Sequence, residues 1–314
     1  MIALWIVLGL VVLIVPGLLY TWNLSGKIYT NLLVRETPEK WGRNCSFPED
    51  EEYVKMYEQG LVWGETHKDR KRPVSVVSDG FHLYGEYFDF GAEKAVIIIP
   101  GRTEACPYSY FFAEPYRECG CNVLVIDNRA HGLSEGKYPS LGFSEYRDIL
   151  QWGKLLHDEL KNAQVFLHGI CIGASTALFA LTDQNCPDYM AGMVGDGMYT
   201  TFYESFKEHM RIDHHPIFPV GIEVMAQIYL HSKARPATDG PIKRIGRMKK
   251  PILFVHSRED GFSLPEKAQQ LYDKCGSSAK KIRFFDHGAH SRIRINDPEG
   301  YDRVVMDFVA SITA

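Results

Sequence analysis

Three stretches of this chain each end an apolar run with a residue type suited to acyl chemistry: a thiol, a carboxylate and an imidazole. The first is VFLHGICIGAST at 165–176, where Cys171 stands between Gly169 and Gly173. A strand that stops at Gly-x-nucleophile-x-Gly and restarts as a helix puts its middle residue in a strained turn. Bulk at either flank of that turn would collide with the neighbouring strand and helix. The helix expected to begin near Ile172 aims its N-terminal amides at the sulfur and favours a thiolate. A buried structural cysteine is the ordinary alternative, and the position between a strand and the helical run ASTALFALT argues against it.

The second stretch, SREDG after PILFVH, offers Asp260 as the acid that orients a base, with Glu259 as its competitor and an N-cap as the bland role. The third, HGAHS after KIRFFD, offers His290 as the general base, with His287 as the rival. Nucleophile, acid and histidine in that order, each beyond its own strand, are less expected by accident than any one alone. A developing oxyanion would need two backbone N–H groups. Ile172 supplies one, and Arg102 in PGRTE at 100–104 the other, with Gly101 allowing the backbone to approach substrate.

These residues must be positioned by a sheet. RPVSVVS and FHLYGEYFDF around Asp79-Gly80 read as an antiparallel hairpin. After it come short β-branched runs at 95–100, 122–127, 164–169, 193–196, 251–256 and 281–286, most of them separated by helical patterns. That alternation predicts an α/β fold, a mostly parallel central sheet with helices on both faces. One long gap, about 197–250, predicts a small helical cap over the strand ends, with His214 and His215 lining the substrate entrance.

With 314 residues, 45% of them hydrophobic, the chain can bury one large domain, and a net charge of −4 with dispersed basic residues argues against a nucleic-acid partner. Its seven cysteines are odd in number and form no C-x-x-C pair, which argues against a zinc ribbon or a disulfide framework and for a cytosol-facing domain. No metal and no cofactor are expected, because metal-ligand spacing and a phosphate loop are both missing. Residues 1–22 open with an uncharged run long enough for a single transmembrane anchor; a cleaved signal peptide is the alternative. Lys27, Arg35 and Lys40 beyond it place the remainder on the cytoplasmic side. Residues 23–69 read as a linker with a packing helix begun by Pro48, and 70–314 as the α/β domain.

Beyond the cysteine turn, NVLVIDNRAHGLSEG at 122–136 resembles the D-x-R-x-H-G-x-S-x-G loop of α/β-hydrolases. The hairpin and PILFVHSREDGFSLPEKAQQLY resemble further parts of that superfamily, over roughly residues 70–314. In detail the chain is similar to bacterial membrane-anchored α/β-hydrolases of serine-aminopeptidase type. The resemblance implies triad roles for Cys171, Asp260 and His290. Two residues depart from the pattern: Pro100-Gly101 replaces the usual His-Gly, and cysteine replaces serine, as in dienelactone hydrolases and bile-acid-CoA amino acid acyltransferases. The expected activity is hydrolysis of a small-molecule ester, thioester or lactone through an acyl-cysteine. Acyl transfer to an amine or alcohol and a non-catalytic, membrane-tethered binding role are the alternatives.

Overall fold

The structure, a computed structural model, describes residues 2–313, and for residues 2–4, 6–13 and 313 the backbone alone. Eight strands form one sheet: β1 Lys71–Ser78, β2 Phe81–Phe88, β3 Lys94–Ile99, β4 Cys121–Ile126, β5 Gln164–Ile170, β6 Met190–Asp196, β7 Ile252–Ser257 and β8 Lys280–Phe285. Their order is β1-β2-β4-β3-β5-β6-β7-β8. The first two pairings, β1 with β2 and β2 with β4, are antiparallel and the others parallel. Asp79 and Gly80 close the first hairpin with φ of 50° and 83°, the doubly positive pair that a tight hairpin turn demands. Each expected strand is found, because runs such as Ala95–Ile99 and Val123–Ile126 are buried on both faces and have no polar side to offer solvent.

Eight helices carry the rest of the argument: α1 Ile2–Leu33, α2 Glu51–Thr66, α3 Tyr146–Lys154, α4 Ile172–Leu181, α5 Phe202–Ile212, α6 Val220–Ser232, α7 Pro265–Lys274 and α8 Pro298–Thr313. One face of the sheet is covered by α3 and α4 around Trp152, Leu156 and Leu178. The other is covered by α2 and α8 around Tyr53, Phe112, Tyr116, Tyr301 and Phe308. Helices α5 and α6 fill the gap between β6 and β7 where the sequence predicts a cap. A third apolar cluster joins them, through Phe202, Phe206, Val224 and Ile228, to Tyr29 and Leu33 of α1 and to Ile172.

Two boundaries differ from the sequence reading. Helix α2 starts later than Pro48 because Asp50 is its cap, accepting the Tyr53 N–H at 2.9 Å. The first part of the expected linker, 23–33, is instead the last third of α1, held helical by packing against α6. Among the described residues no helix is long and apolar enough to cross a membrane. The span expected at 1–22 falls largely outside the residues whose side chains are described.

Strands β4 and β5 lie on opposite sides of β3, so the chain reverses its direction of winding there. A crevice opens beyond the carboxyl ends of β3 and β5. The Gly101 loop follows β3 and Cys171 follows β5.

Candidate active site

Cys171 alone makes the reversal from β5 to α4, with φ 54° and ψ −111°, a region that costs a non-glycine residue on the order of 1–3 kcal/mol. Its N–H donates to the Asp196 carbonyl at 2.8 Å, tying the turn to the end of β6. The flanking glycines are sterically required. A Cβ at Gly169 would lie 2.4 Å from Ala174 Cα, and one at Gly173 would lie 2.1 Å from the Ile99 carbonyl oxygen.

The structure selects among the acid and histidine candidates by contact. His290 Nδ1 lies 2.7 Å from Asp260 Oδ2, and Cys171 is near enough to the imidazole to act on its charge. Asp260 is buried, and its Oδ1 accepts the N–H groups of Phe262 and Ser263 at 2.9 and 2.7 Å. Burial alone would raise this carboxyl, but His290, His256 and the N–H donors outweigh it and hold the acid below its usual range. Burial likewise works against charge on His290, yet Asp260 and Cys171 override it and keep the imidazole well above its ordinary value. Glu259 and His287 pair with each other at 3.2 Å on the exposed side of the loop. Gly288, whose N–H Glu259 accepts, has φ 107° and lets the chain turn back toward Cys171.

Ile172 opens α4, where no preceding carbonyl of the helix can accept its N–H. Arg102 faces it from the loop after β3. The Arg102 carbonyl is gripped by His131 Nε2, and its guanidinium donates to the Leu32 carbonyl of α1 at 2.8 Å. Room at Gly101 is taken up by the Glu104 carboxylate, since a Cβ there would meet Oε2 at 2.4 Å. His131 stacks on Trp41 at 5.0 Å between ring centroids. The D-x-R-x-H-G segment therefore acts as a brace: Arg129 is clamped by Asp148 at 2.6 Å and Asp79 at 2.7 Å, and Asp127 accepts the N–H groups of Cys106 and Leu133. Together these contacts fix the loop that carries Arg102.

His214 and His215 are exposed in the turn after α5, and no hydrogen bond from either reaches Cys171, Asp260 or His290 among the described residues. The cap histidine at the site is His209, stacked on Phe262 at 3.8 Å, while Phe262 in turn sets its edge against His290 at 5.8 Å. Burial pushes His209 down to about 3, so it is neutral near pH 7. Its signal was in the sequence: Phe202, Phe206 and His209 share one face of a helix at i, i+4 and i+7.

A second residue the sequence reading passed over is Asp196, at the end of β6. Its carboxyl is fully buried and accepts the Tyr301 hydroxyl at 2.7 Å, while Oδ1 has no partner, and burial raises it to about 6. Behind it Tyr301 and Tyr116 hold the two nitrogens of His168, which burial pushes down to about 3. Among the described residues no group of three or more His, Cys, Asp or Glu side chains is placed to hold a metal ion.

Comparison with known proteins agrees with this geometry. Residues 94–215 match the family described as the alpha/beta hydrolase fold. An uncharacterized Bacillus subtilis protein, YqkD, is 27% identical over 69% of this chain and 71% of its own length. An uncharacterized membrane protein of Saccharomyces cerevisiae is 24% identical over 62% of each chain, so this match spans less than two thirds of the yeast protein. The Pyrococcus furiosus esterase superposes with a TM-score of 0.68 at 23% identity, covering 80% of this chain and 94% of the esterase. Strand order, strained turn and these matches agree, and the chain is built on the α/β-hydrolase fold.

Proposed function

We propose that the protein is a membrane-anchored hydrolase that cleaves an ester, thioester or lactone through an acyl-cysteine intermediate. The observation that carries this reading is the placement of Cys171, on a strained turn at the switch point of the sheet, beside a His290 that is held at 2.7 Å by buried Asp260. Before attack the proton of the Cys171 thiol passes to His290. The sulfur attacks the acyl carbon, and the N–H groups of Ile172 and Arg102 receive the oxyanion. As the carbon–leaving-group bond breaks, His290 gives its proton to the departing oxygen or sulfur. His290 then takes a proton from water, whose oxygen attacks the thioester. The acyl–sulfur bond breaks, the acid leaves and the site is restored. Asp260 holds the imidazole in the required tautomer throughout.

The sulfur favours activated acyl groups over peptides, because an amine is a far poorer leaving group than the thiolate. The anchor is supported by the absence of any charged side chain before Lys27 and by the long helix that leads out of the domain. The yeast relative's description as a membrane protein points the same way. Lys27, Arg35 and Lys40 favour a cytoplasmic domain.

The test is kinetic. Cys171→Ala is expected to abolish turnover of a short p-nitrophenyl ester, and unchanged turnover would end this reading. Cys171→Ser is expected to retain part of it, since the base and acid remain. Acyl transfer is the second reading, favoured by the apolar side chains of the cap cluster against Cys171, which limit water. Product analysis across added amines and alcohols separates the two, since transfer yields an amide or ester that grows with acceptor concentration.

A further inference from the structure

We propose that the tip of the cap, residues 216–222, lies in the bilayer interface, and that the acyl group taken by Cys171 comes from a long-chain lipid resident in that bilayer. This inference rests on the anchored-hydrolase reading and names its substrate class.

Helices α1 and α6 run side by side in the same direction. Thr21 Oγ1 donates to Glu223 Oε1 at 2.8 Å, a Cβ on Gly26 would lie 3.8 Å from Gln227 Nε2, and Tyr29 stacks on His231 at 5.2 Å. The paired positions advance together along both helices. Ile222 is therefore level with about Tyr20, and Phe218 lies in the turn that leads into α6 at this same end. This is the end toward which the uncharged run of α1 continues.

The side chains at this level are apolar and open to solvent. Phe218 is 78% exposed and Ile222 53%, beside Leu18, Leu19, Tyr20 and Trp22 of α1, all exposed. The segment PIFPVGI at 216–222 carries no charge, and the polar residues Arg211, Asp213, His214 and His215 precede it. Aromatic side chains at Tyr20 and Trp22 suit the boundary between headgroups and hydrocarbon. An exposed phenylalanine at that end of α6 has a partner only if lipid covers it. Continuity with the uncharged end of α1 makes the bilayer that partner.

The same tip adjoins the site. A Cβ on Gly221 would touch Tyr203, Ile217 and Phe206, and one on Gly261, next to Asp260, would lie 3.8 Å from Ile212 Cδ1. Phe206, Met210, Val220 and Val224 belong to the apolar cluster that reaches Ile172 and Cys171. An acyl chain that entered beside this cluster would gain from its apolar side chains, and a short polar acyl group would gain nothing.

The test uses the full chain in phosphatidylcholine vesicles, with Trp5 and Trp22 replaced by phenylalanine and Phe218→Trp introduced. Brominated lipid is expected to cut the added emission at least about two-fold, while Val62→Trp, exposed on α2 away from the cap, stays unquenched. In parallel, Phe218→Ser with Ile222→Ser is expected to lower kcat/KM at least ten-fold on a long-chain acyl ester held in vesicles and to leave a soluble short ester unchanged. Co-flotation with vesicles without quenching leaves the anchor standing and overturns the inference. So does a vesicle-independent dimer that the Phe218→Ser change dissolves, since a second copy would then cover the tip. Equal losses on both esters overturn the substrate claim. If the parent chain cleaves neither ester, the hydrolase reading fails and the lipid-substrate claim with it, while quenching alone decides the interfacial placement.

Discussion

Replacing Asp260 by asparagine separates charge from shape at the centre of the site. Asparagine can still accept the Phe262 and Ser263 N–H groups through its carbonyl oxygen, so the loop is expected to keep its form. What changes is the 2.7 Å contact to His290 Nδ1, where a carboxylate oxygen becomes an NH2 donor. The imidazole then turns to the tautomer with its proton toward Cys171, from which it cannot accept the thiol proton. Losing one partner of a buried, hydrogen-bonded charge pair costs on the order of 3–5 kcal/mol. At 1.36 kcal/mol per factor of ten, kcat/KM is expected to fall about 10²- to 10⁴-fold.

The pH profile carries the sign. Asp260 and Cys171 hold His290 protonated well above its ordinary range against the opposing effect of burial. The protonated imidazole should therefore persist through neutral pH and be lost on the alkaline side, which sets that limb of the profile. Removing the carboxylate should move that limb toward acid, with apparent values belonging to the coupled pair. The assays are stopped-flow ester cleavage from pH 5 to 10 and the rate of Cys171 alkylation over the same range. Glu259→Gln is the control, since Glu259 pairs with exposed His287 outside this line of contacts. A Asp260→Asn enzyme within ten-fold of wild type, with an unmoved alkaline limb, would refute the reasoning.

Other consequences are as specific. Gly173→Ala forces a Cβ to 2.1 Å from the Ile99 oxygen and 2.8 Å from the Pro100 oxygen, both backbone atoms of the loop opposite the turn; kcat/KM measured well below Tm should drop about 100-fold. Gly246→Ala, with its closest contact at 3.7 Å, should not change the rate. His131→Ala removes the grip on the Arg102 carbonyl, and a fall of about 10²-fold in kcat with little change in KM is expected in steady-state assays. Asp196→Asn concerns stability: burial raises this acid from 3.8 to about 6, so the wild type loses stability as pH rises through that window. Urea unfolding at pH 4.5 and pH 8 should show a smaller loss for the variant, by roughly 2 kcal/mol.

What the sequence disclosed follows local physics. The Asp79-Gly80 turn, the doubly buried strands and the glycines around Cys171 each have one conformation that satisfies them, and neighbours a few residues away reveal it. Asp260 and His290 were preferred from the sequence, but Glu259 and His287 stayed as rivals, because both members of each pair sit in one loop and only the folded turn at Gly288 directs one inward. The continuation of α1 to Leu33 was hidden for a different reason. Its Thr21, Tyr29 and Leu33 are explained by α6, some two hundred residues away, and a polar run with no visible partner reads as linker. Asp196 looked like any strand-ending aspartate until burial and the Tyr301 hydroxyl marked it out. His214 and His215 drew attention by adjacency, whereas helical periodicity points to His209.

The most direct measurement is intact-protein mass spectrometry of the full chain mixed for milliseconds with an activated ester and quenched in acid. The account predicts one added acyl group, mapped to Cys171, released by hydroxylamine and absent from Cys171→Ala. An ester turned over with no adduct, or with the acyl group on another residue, would contradict it.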